Sequence, residues 1–326
     1  MNIIEKIVGK TRKLSSNFEH LKEEKTLKFV TATIHNEPFV GLLHEEKVID
    51  IHKAEQEIFE ITSFPKTLVE CVALGDKFIQ DVKQIVDKLK HEERVERYVY
   101  ALSDVTILAP IPRPAKNIFC VGKNYREHAI EMGSEEDIPK HVMLFSKAPT
   151  TVIGHEQGID PHTHITQELD YEGELAVVIG KKGKCISVEE AMDYVFGYTI
   201  VNDVTARNLQ SQHKQFLLGK SLDTSCPTGP YLVHKSAISN PYDLTIKTKV
   251  NNEIRQDGHT KDMIFSIEHI ISTISQGTTL EPGDIIATGT PAGVGKGYHP
   301  PKFLQPGDVI EIEVEGIGTL RNQVLR

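Results

Sequence analysis

From Thr26 onward the chain alternates short apolar runs with polar breaks. LKFVTATI (27–34), PFVGLLH (38–44) and EKVIDIH (46–52) are β-rich stretches separated by His-Asn-Glu and His-Glu-Glu, which predicts a strand meander. Helical spacing follows over Lys66–Gly75. It is stronger over Asp76–His91, where Phe78, Val82, Ile85, Val86 and Leu89 fall on one face. Ahead of the meander, Ile3, Ile4, Ile7, Val8 and Leu14 are spaced for a short amphipathic helix, so residues 1–25 read as a helical N-terminal extension.

The stretch Ala109–Ala115 holds three prolines in five residues. Proline fixes its own φ and biases its predecessor toward extended backbone, so this is a stiff connector and the best domain boundary. It separates a small unit, residues 26–108, from a larger one, residues 109–326. The larger unit is rich in short β runs: NIFCVG, HVMLFSK, LAVVIG, FGYTIVND, GPYLVH, LTIKTKVN, DIIATG and DVIEIEVE. Helical patterns are fewer, mainly Val188–Tyr194 and Ser266–Ser275, and they do not alternate one for one with strands. The class is α+β, not a doubly wound parallel sheet. Pro282–Asp284 and Pro306–Asp308 read as turns feeding buried strands.

Composition adds exclusions. Hydrophobic residues at 39% and charged residues at 25% are those of an ordinary soluble globular protein. A formal charge of -9, from 37 basic and 46 acidic groups, argues against a nucleic-acid partner. No apolar run approaches the ~20 residues that span a bilayer, and the N-terminus lacks the apolar core of a signal peptide. Cys71, Cys120, Cys185 and Cys226 are widely spaced with no C-x-x-C pair, as expected of reduced thiols in a cytoplasmic protein.

The chemistry concentrates in Leu169–Gly180. Residues two apart on a strand share a face, so Glu172 and Glu174 project together from the start of a very apolar run. Paired like charges there are costly unless a cation neutralises them. A second apolar run ends at Asp203, and three carboxylates without thiolates suit a hard cation, Mg²⁺ or Mn²⁺. The competing reading is a pair of solvated edge carboxylates with an Asp helix cap. His162 and His164 form another i, i+2 pair, but in a polar, proline-flanked stretch where loop histidines are the plainer meaning. Gly219-Lys-Ser221 lacks the earlier glycine of a phosphate loop, since position 214 is Lys. Gly289–Gly295 is glycine-rich and suits close approach to a small ligand. On a helix His128 and Glu131 touch, giving an imidazole oriented by a carboxylate and usable as a general base; an exposed pair is the alternative. The acidic segment Ser134–Pro139 after them suits a lid.

The strings FCVGKNYREHA, DYEGELAVVIG, GYTIVNDVTARNLQ, GKSLDTSCPTGP and PGDIIATGTPAGVG resemble, in order and separation, the fumarylacetoacetate hydrolase superfamily. The resemblance covers nearly all of residues 109–326. It implies a mixed β-roll catalytic domain with helices around it, a small α/β N-terminal domain, and a homodimer. It places Glu172, Glu174 and Asp203 at the Mg²⁺/Mn²⁺ ligand positions. Arg207, Gln210 and Thr290 match substrate-contacting positions, Lys220 matches a lysine balancing developing negative charge, and Lys147 matches a recurrent lysine near substrate. The eponymous hydrolase carries a fourth aspartate ligand before its histidine, and Lys123–His128 offers no equivalent. Its H-x-x-E pattern, His128 with Glu131, resembles instead the branch acting on short 2-oxo acids.

That branch implies metal-dependent cleavage of a carbon–carbon bond, with oxaloacetate decarboxylation to pyruvate and CO₂ the leading expectation. Hydrolysis of an acylpyruvate, with His128 activating water, and isomerisation or decarboxylation of a 2-hydroxydienedioate remain open beside it. A reading of another class is a scaffold or regulator that retains the metal site. Intact His128, Glu131 and Lys220 argue against it, since a scaffold has no need of them.

Overall fold

A computed structural model describes residues 27–89 and 95–326, so the helix expected within residues 1–25 lies outside the described residues. The N-terminal meander comprises β1 (Lys28–Ile34), β2 (Glu37–His44), β3 (Lys47–Asp50), β4 (Val99–Ala101) and β5 (Thr106–Ile107). Its third run is shorter than its apolar pattern suggests. Asp50 Oδ1 accepts the Lys53 N–H at 3.1 Å and caps a helix, α1 (Ile51–Phe59), so Ile51 and His52 turn out of the strand. Two further helices follow, α2 (Leu68–Ala73), opened by a Thr67/Glu70 capping box, and α3 (Asp76–Leu89).

Beyond the prolines come β6 (Ile118–Gly122), α4 (Arg126–Glu131), β7 (Met143–Lys147), β8 (Val152–Ile153), β9 (Gly158–Ile159), β10 (Leu169–Asp170), β11 (Gly173–Ile179), β12 (Val195–Asn202) and β13 (Thr205–Ala206). Then follow α5 (Arg207–His213), α6 (Leu217–Lys220), β14 (Cys226–His234), β15 (Thr245–Val250), β16 (Glu253–His259), α7 (Ile267–Ser275), β17 (Ile285–Ala287), β18 (Val309–Val314) and β19 (Gly318–Val324). The expected helix at Val188–Tyr194 is only a 3₁₀ turn over Ala191–Tyr194. β16 and β19 escape the sequence pattern because their positions are largely polar or half-exposed. β16 returns from β15 through Asn251-Asn252, both at positive φ, which suits the tight hairpin they close.

Among the described residues the largest sheet runs β4-β3-β2-β1-β14-β12-β11-β17-β6-β7, with β5 on β1 and β8 on β14. Most pairs are antiparallel, and β17 with β6 and β14 with β8 are parallel. The strands before and after the proline stretch thus share one sheet, through β1 pairing with β14. A second sheet runs β16-β15-β18-β19-β9. One core, with Leu175, Val177, Ile200 and Ile312, fills the space between the sheets. Another packs α1 to α3 on the outer face of the large sheet, where Phe29, Phe78 and Phe196 meet. β11 and β12 are buried along their whole length, which is why their runs read as continuous apolar stretches. Among the described residues no helix is long and apolar enough to cross a membrane.

Candidate active site

β11 and β12 pair with Gly173 opposite Asn202, and the Asp203 N–H donates to the Glu172 carbonyl at 2.8 Å. That register brings the two strand ends together. Glu172, Glu174 and Asp203 each offer a carboxylate oxygen within 4.8 Å of the others, and all three are buried. Among the described residues no other group of three His, Cys, Asp or Glu side chains meets in this way.

Three buried cations surround the trio. Lys220 Nζ lies 2.8 Å from Glu172 Oε2 and 2.7 Å from Asp203 Oδ2. An Arg207 terminal nitrogen lies 2.7 Å from Glu172 Oε1, and Lys147 Nζ lies 2.8 Å from Asp203 Oδ1. The last two contacts are ion pairs without hydrogen-bond alignment, and the Lys147 ammonium also donates to the Val204 carbonyl at 2.9 Å. Lys147 is fully buried beside Asp203 and is not among the residues lining the cavity where a substrate would sit.

Burial pushes the Glu172 carboxyl up, but Lys220 and Arg207 outweigh it and hold the group at about 2. Glu174 lacks such a partner, and burial with the nearby Asp203 and Glu172 charges pushes it well above the usual carboxylate range. Lys220 loses by burial and gains more from Asp203 and Glu172, so it stays firmly charged. Counting Asp170 as well, four buried carboxylates face three buried cations. A divalent cation would turn that excess of negative charge into a net positive one, and the donor set is the all-oxygen kind that Mg²⁺ and Mn²⁺ take.

The imidazole sits beside this cluster. α4 follows β6, and His128 Nδ1 lies 3.2 Å from Glu131 Oε2. Glu131 Oε1 accepts the Gly293 N–H at 2.9 Å. In the tautomer whose Nδ1–H donates to Glu131, His128 has Nε2 as the basic nitrogen. His128, Glu172, Glu174, Arg207, Gln210, Lys220 and Thr290 line one cavity of about 370 Å³. Gln210 Oε1 accepts from Arg207 at 3.2 Å, and the Thr290 hydroxyl donates to the Gly173 carbonyl at 2.9 Å. The histidine pair elsewhere does not form a comparable site: His162 bonds the Asp223 carbonyl, and its ring centre stands 6.1 Å from that of His164.

Two supporting residues escaped the sequence reading. Asp170, fully buried, accepts from Arg207 Nε at 2.8 Å and from the Gly295 and Lys296 N–H groups at 2.7 and 3.0 Å. The two-residue period joining Glu172 to Glu174 reaches Asp170 one step earlier, and that was the available signal. Gln256 on β16 donates to the Thr290 hydroxyl at 2.7 Å and accepts the Gly173 N–H at 3.0 Å, and nothing local in its polar strand marks it. The glycine loop meets carboxylates rather than open space, with Gly289 donating to Glu174 at 2.7 Å.

This sheet architecture and this carboxylate centre define an enzyme of the fumarylacetoacetate hydrolase type. Residues 117–325 match the family described as fumarylacetoacetate (FAA) hydrolase C-terminal, and the chain belongs to that family. It is 57% identical over 300 residues to the oxaloacetate tautomerase YisK of Bacillus subtilis (strain 168), covering 91% of this chain and all of the relative. A solved fumarylacetoacetate hydrolase from psychrophilic Exiguobacterium antarcticum is similar at 40% identity and a TM-score of 0.75, over 91% of this chain and 99% of that one. A maleylpyruvate hydrolase from Sphingobium sp. SYK-6, solved with manganese(II) and pyruvate, is similar at 25% identity and a TM-score of 0.71, over 91% and 98% of the two chains.

Proposed function

We propose that the protein interconverts the keto and enol forms of a short dicarboxylic 2-oxo acid, oxaloacetate, at a divalent metal centre held by Glu172, Glu174 and Asp203. The observation carrying this reading is that His128, backed by Glu131, lines the same cavity as Glu172 and Glu174 of the carboxylate trio. Tautomerisation needs a base to move a C3 proton, whereas decarboxylation does not. The Bacillus relative's name and the manganese and pyruvate of the Sphingobium structure support the same chemistry.

Glu172, Glu174 and Asp203 would hold the cation, which when bound would supply a Lewis acid for the 2-oxo group. Arg207, Gln210 and Thr290 hold the substrate carboxylate. His128 Nε2 takes a proton from C3, the C–H electron pair becomes the C2–C3 double bond, and the carbonyl electrons move onto oxygen. That oxygen takes a proton from solvent to give the enol. Glu131 stabilises the imidazolium, which releases its proton to solvent to complete the forward turnover and delivers one to C3 in the reverse direction. Lys220 balances the negative charge that develops on oxygen, an effect worth roughly 3 kcal/mol in a dry site.

Decarboxylation is the second reading, favoured by the buried Lys220 ammonium beside two of the carboxylates: breaking C3–C4 instead of C3–H leaves the same kind of enolate. Acylpyruvate hydrolysis and the scaffold role fall outside what this site favours most. A homodimer in the cytoplasm belongs to the proposal, and light scattering checks the assembly. The direct test follows enol loss and CO₂ release from oxaloacetate with Mn²⁺, alongside acetylpyruvate turnover. Enol loss no faster than with free Mn²⁺ rejects the tautomerase reading, and a Glu172→Ala enzyme as active as wild type rejects the metal assignment.

A further inference from the structure

Most cations lining the cavity already have partners. Arg207 and Lys220 are engaged by carboxylates, and Lys123 Nζ lies 3.2 Å from Asp137 Oδ1. Lys214 is the exception: it lines the cavity, and among the described residues its ammonium takes part in no hydrogen bond or ion pair. Its backbone is also unusual. As the residue closing α5 it has φ 58° and ψ -36°, a positive φ that glycine adopts readily and lysine does not. A lysine kept at a glycine-like position, facing the cavity, calls for an explanation in its side chain.

Its neighbours point the same way. Ser211, three residues earlier, lines the cavity too. Gln210 spends its Oε1 on Arg207 and keeps its amide N–H groups free to donate. The last turn of α5 thus presents an amide, a hydroxyl and an ammonium, all able to donate. Arg207 begins the same helix at the carboxylate centre, about 10 Å along the axis from Lys214, a gap that a lysine side chain can largely close. A lysine at a helix C-terminus also favours the helix dipole. That explains neither its place on the cavity nor its backbone.

We propose that Lys214, with Ser211, forms the subsite for the distal carboxylate of a dicarboxylic 2-oxo acid and sets the preference for diacids over monoacids. This rests on the functional reading above, with the proximal end of the substrate at the metal centre. Lys214→Met keeps length without charge, and Lys214→Gly removes the side chain and suits the backbone.

The experiment combines kinetics with ligand-induced thermal shifts. For the Mn²⁺-loaded enzyme, either variant raises KM for oxaloacetate about tenfold with kcat nearly unchanged. Inhibition by oxalate, which lacks a distal arm, stays the same. Malate raises the melting temperature of wild type more than lactate does, and Lys214→Met abolishes that difference. Without ligand, Lys214→Gly melts above wild type, the mark of a residue retained for binding at the expense of backbone fit. An unchanged KM, or oxalate weakened as much as oxaloacetate, overturns the proposal. If wild type fails to turn over oxaloacetate, the functional reading fails separately, and the malate–lactate comparison still decides the subsite.

Discussion

Glu131 and Gly293, 162 positions apart in sequence, meet through a 2.9 Å hydrogen bond from the glycine N–H to Oε1 of the carboxylate. The other oxygen faces His128 Nδ1 at 3.2 Å. The backbone of the glycine loop thus aims the carboxylate that aims the imidazole.

Glu131→Gln should lower kcat on oxaloacetate by about 10²-fold or more with little change in KM, because only the transition state charges the imidazole. Gly297→Ala should show a weaker version of the same loss. An added Cβ at 297 would meet Glu131 Oε1 at 2.2 Å, so the carboxylate must shift. Steady-state kinetics of both variants check this, and a Gly297→Ala enzyme with wild-type kcat would reject the loop's role.

Lys220→Met should destabilise the metal-free protein by about 3 kcal/mol, since Glu172 and Asp203 lose a buried partner. Saturating Mn²⁺ should recover part of the loss, because the cation neutralises the same oxygens. Urea denaturation with and without Mn²⁺ measures both. Equal losses in the two conditions would separate Lys220 from the metal centre.

His234 gives a pH signature away from the active site. Burial first, and Lys235 second, hold its imidazole down at about 4, with its ring against Phe196. In the unfolded chain the group protonates near 6.5. Its contribution is therefore complete above about pH 6.5, falls between there and pH 4, and is flat below. Allowing for solvent screening, about 1–2 kcal/mol is at stake. Stability curves of wild type and His234→Gln should converge as pH falls across that window, and parallel curves would count against the assignment.

Thiol reactivity should divide the cysteines one against three. Burial pushes the Cys71 thiol up to about 12 and that of Cys226 to about 11, and raises Cys120 as well, whereas Cys185 is exposed. Only the thiolate attacks a disulfide reagent, so the native protein should label quickly at Cys185 alone. Cys185→Ser should erase the fast phase, with the other three appearing only on unfolding.

The Glu172 and Glu174 pair is legible because its signal is local: a two-residue period in a run too apolar to be an edge strand. Asp203 and Lys220 were harder to place, because β12 pairing and the α5–α6 turn bring them in from 30 to 50 residues away, and ordered family motifs supplied what spacing could not. Motif position alone places Lys147 near substrate, and the packing adds that its ammonium lies against Asp203 and the Val204 carbonyl. Gln256 lies on a polar strand and gains its importance from a contact with Thr290, so no pattern around it carries the information. The strand expected at Ile51 yields to the capping Asp50, a helix-start signal that competes with the apolar alternation there.

The pairing of β1 with β14 limits how this protein could be divided or recombined. The family-matched portion begins at residue 117, yet cutting there would bare the rim of β14 and uncover Phe196 where Phe29 and Phe78 now shield it. An open strand rim beside exposed aromatics invites self-association. The catalytic half is therefore not a transplantable cassette. Gene fusions or truncations that keep it must carry β1 to β5 and α1 to α3 along as part of its wall.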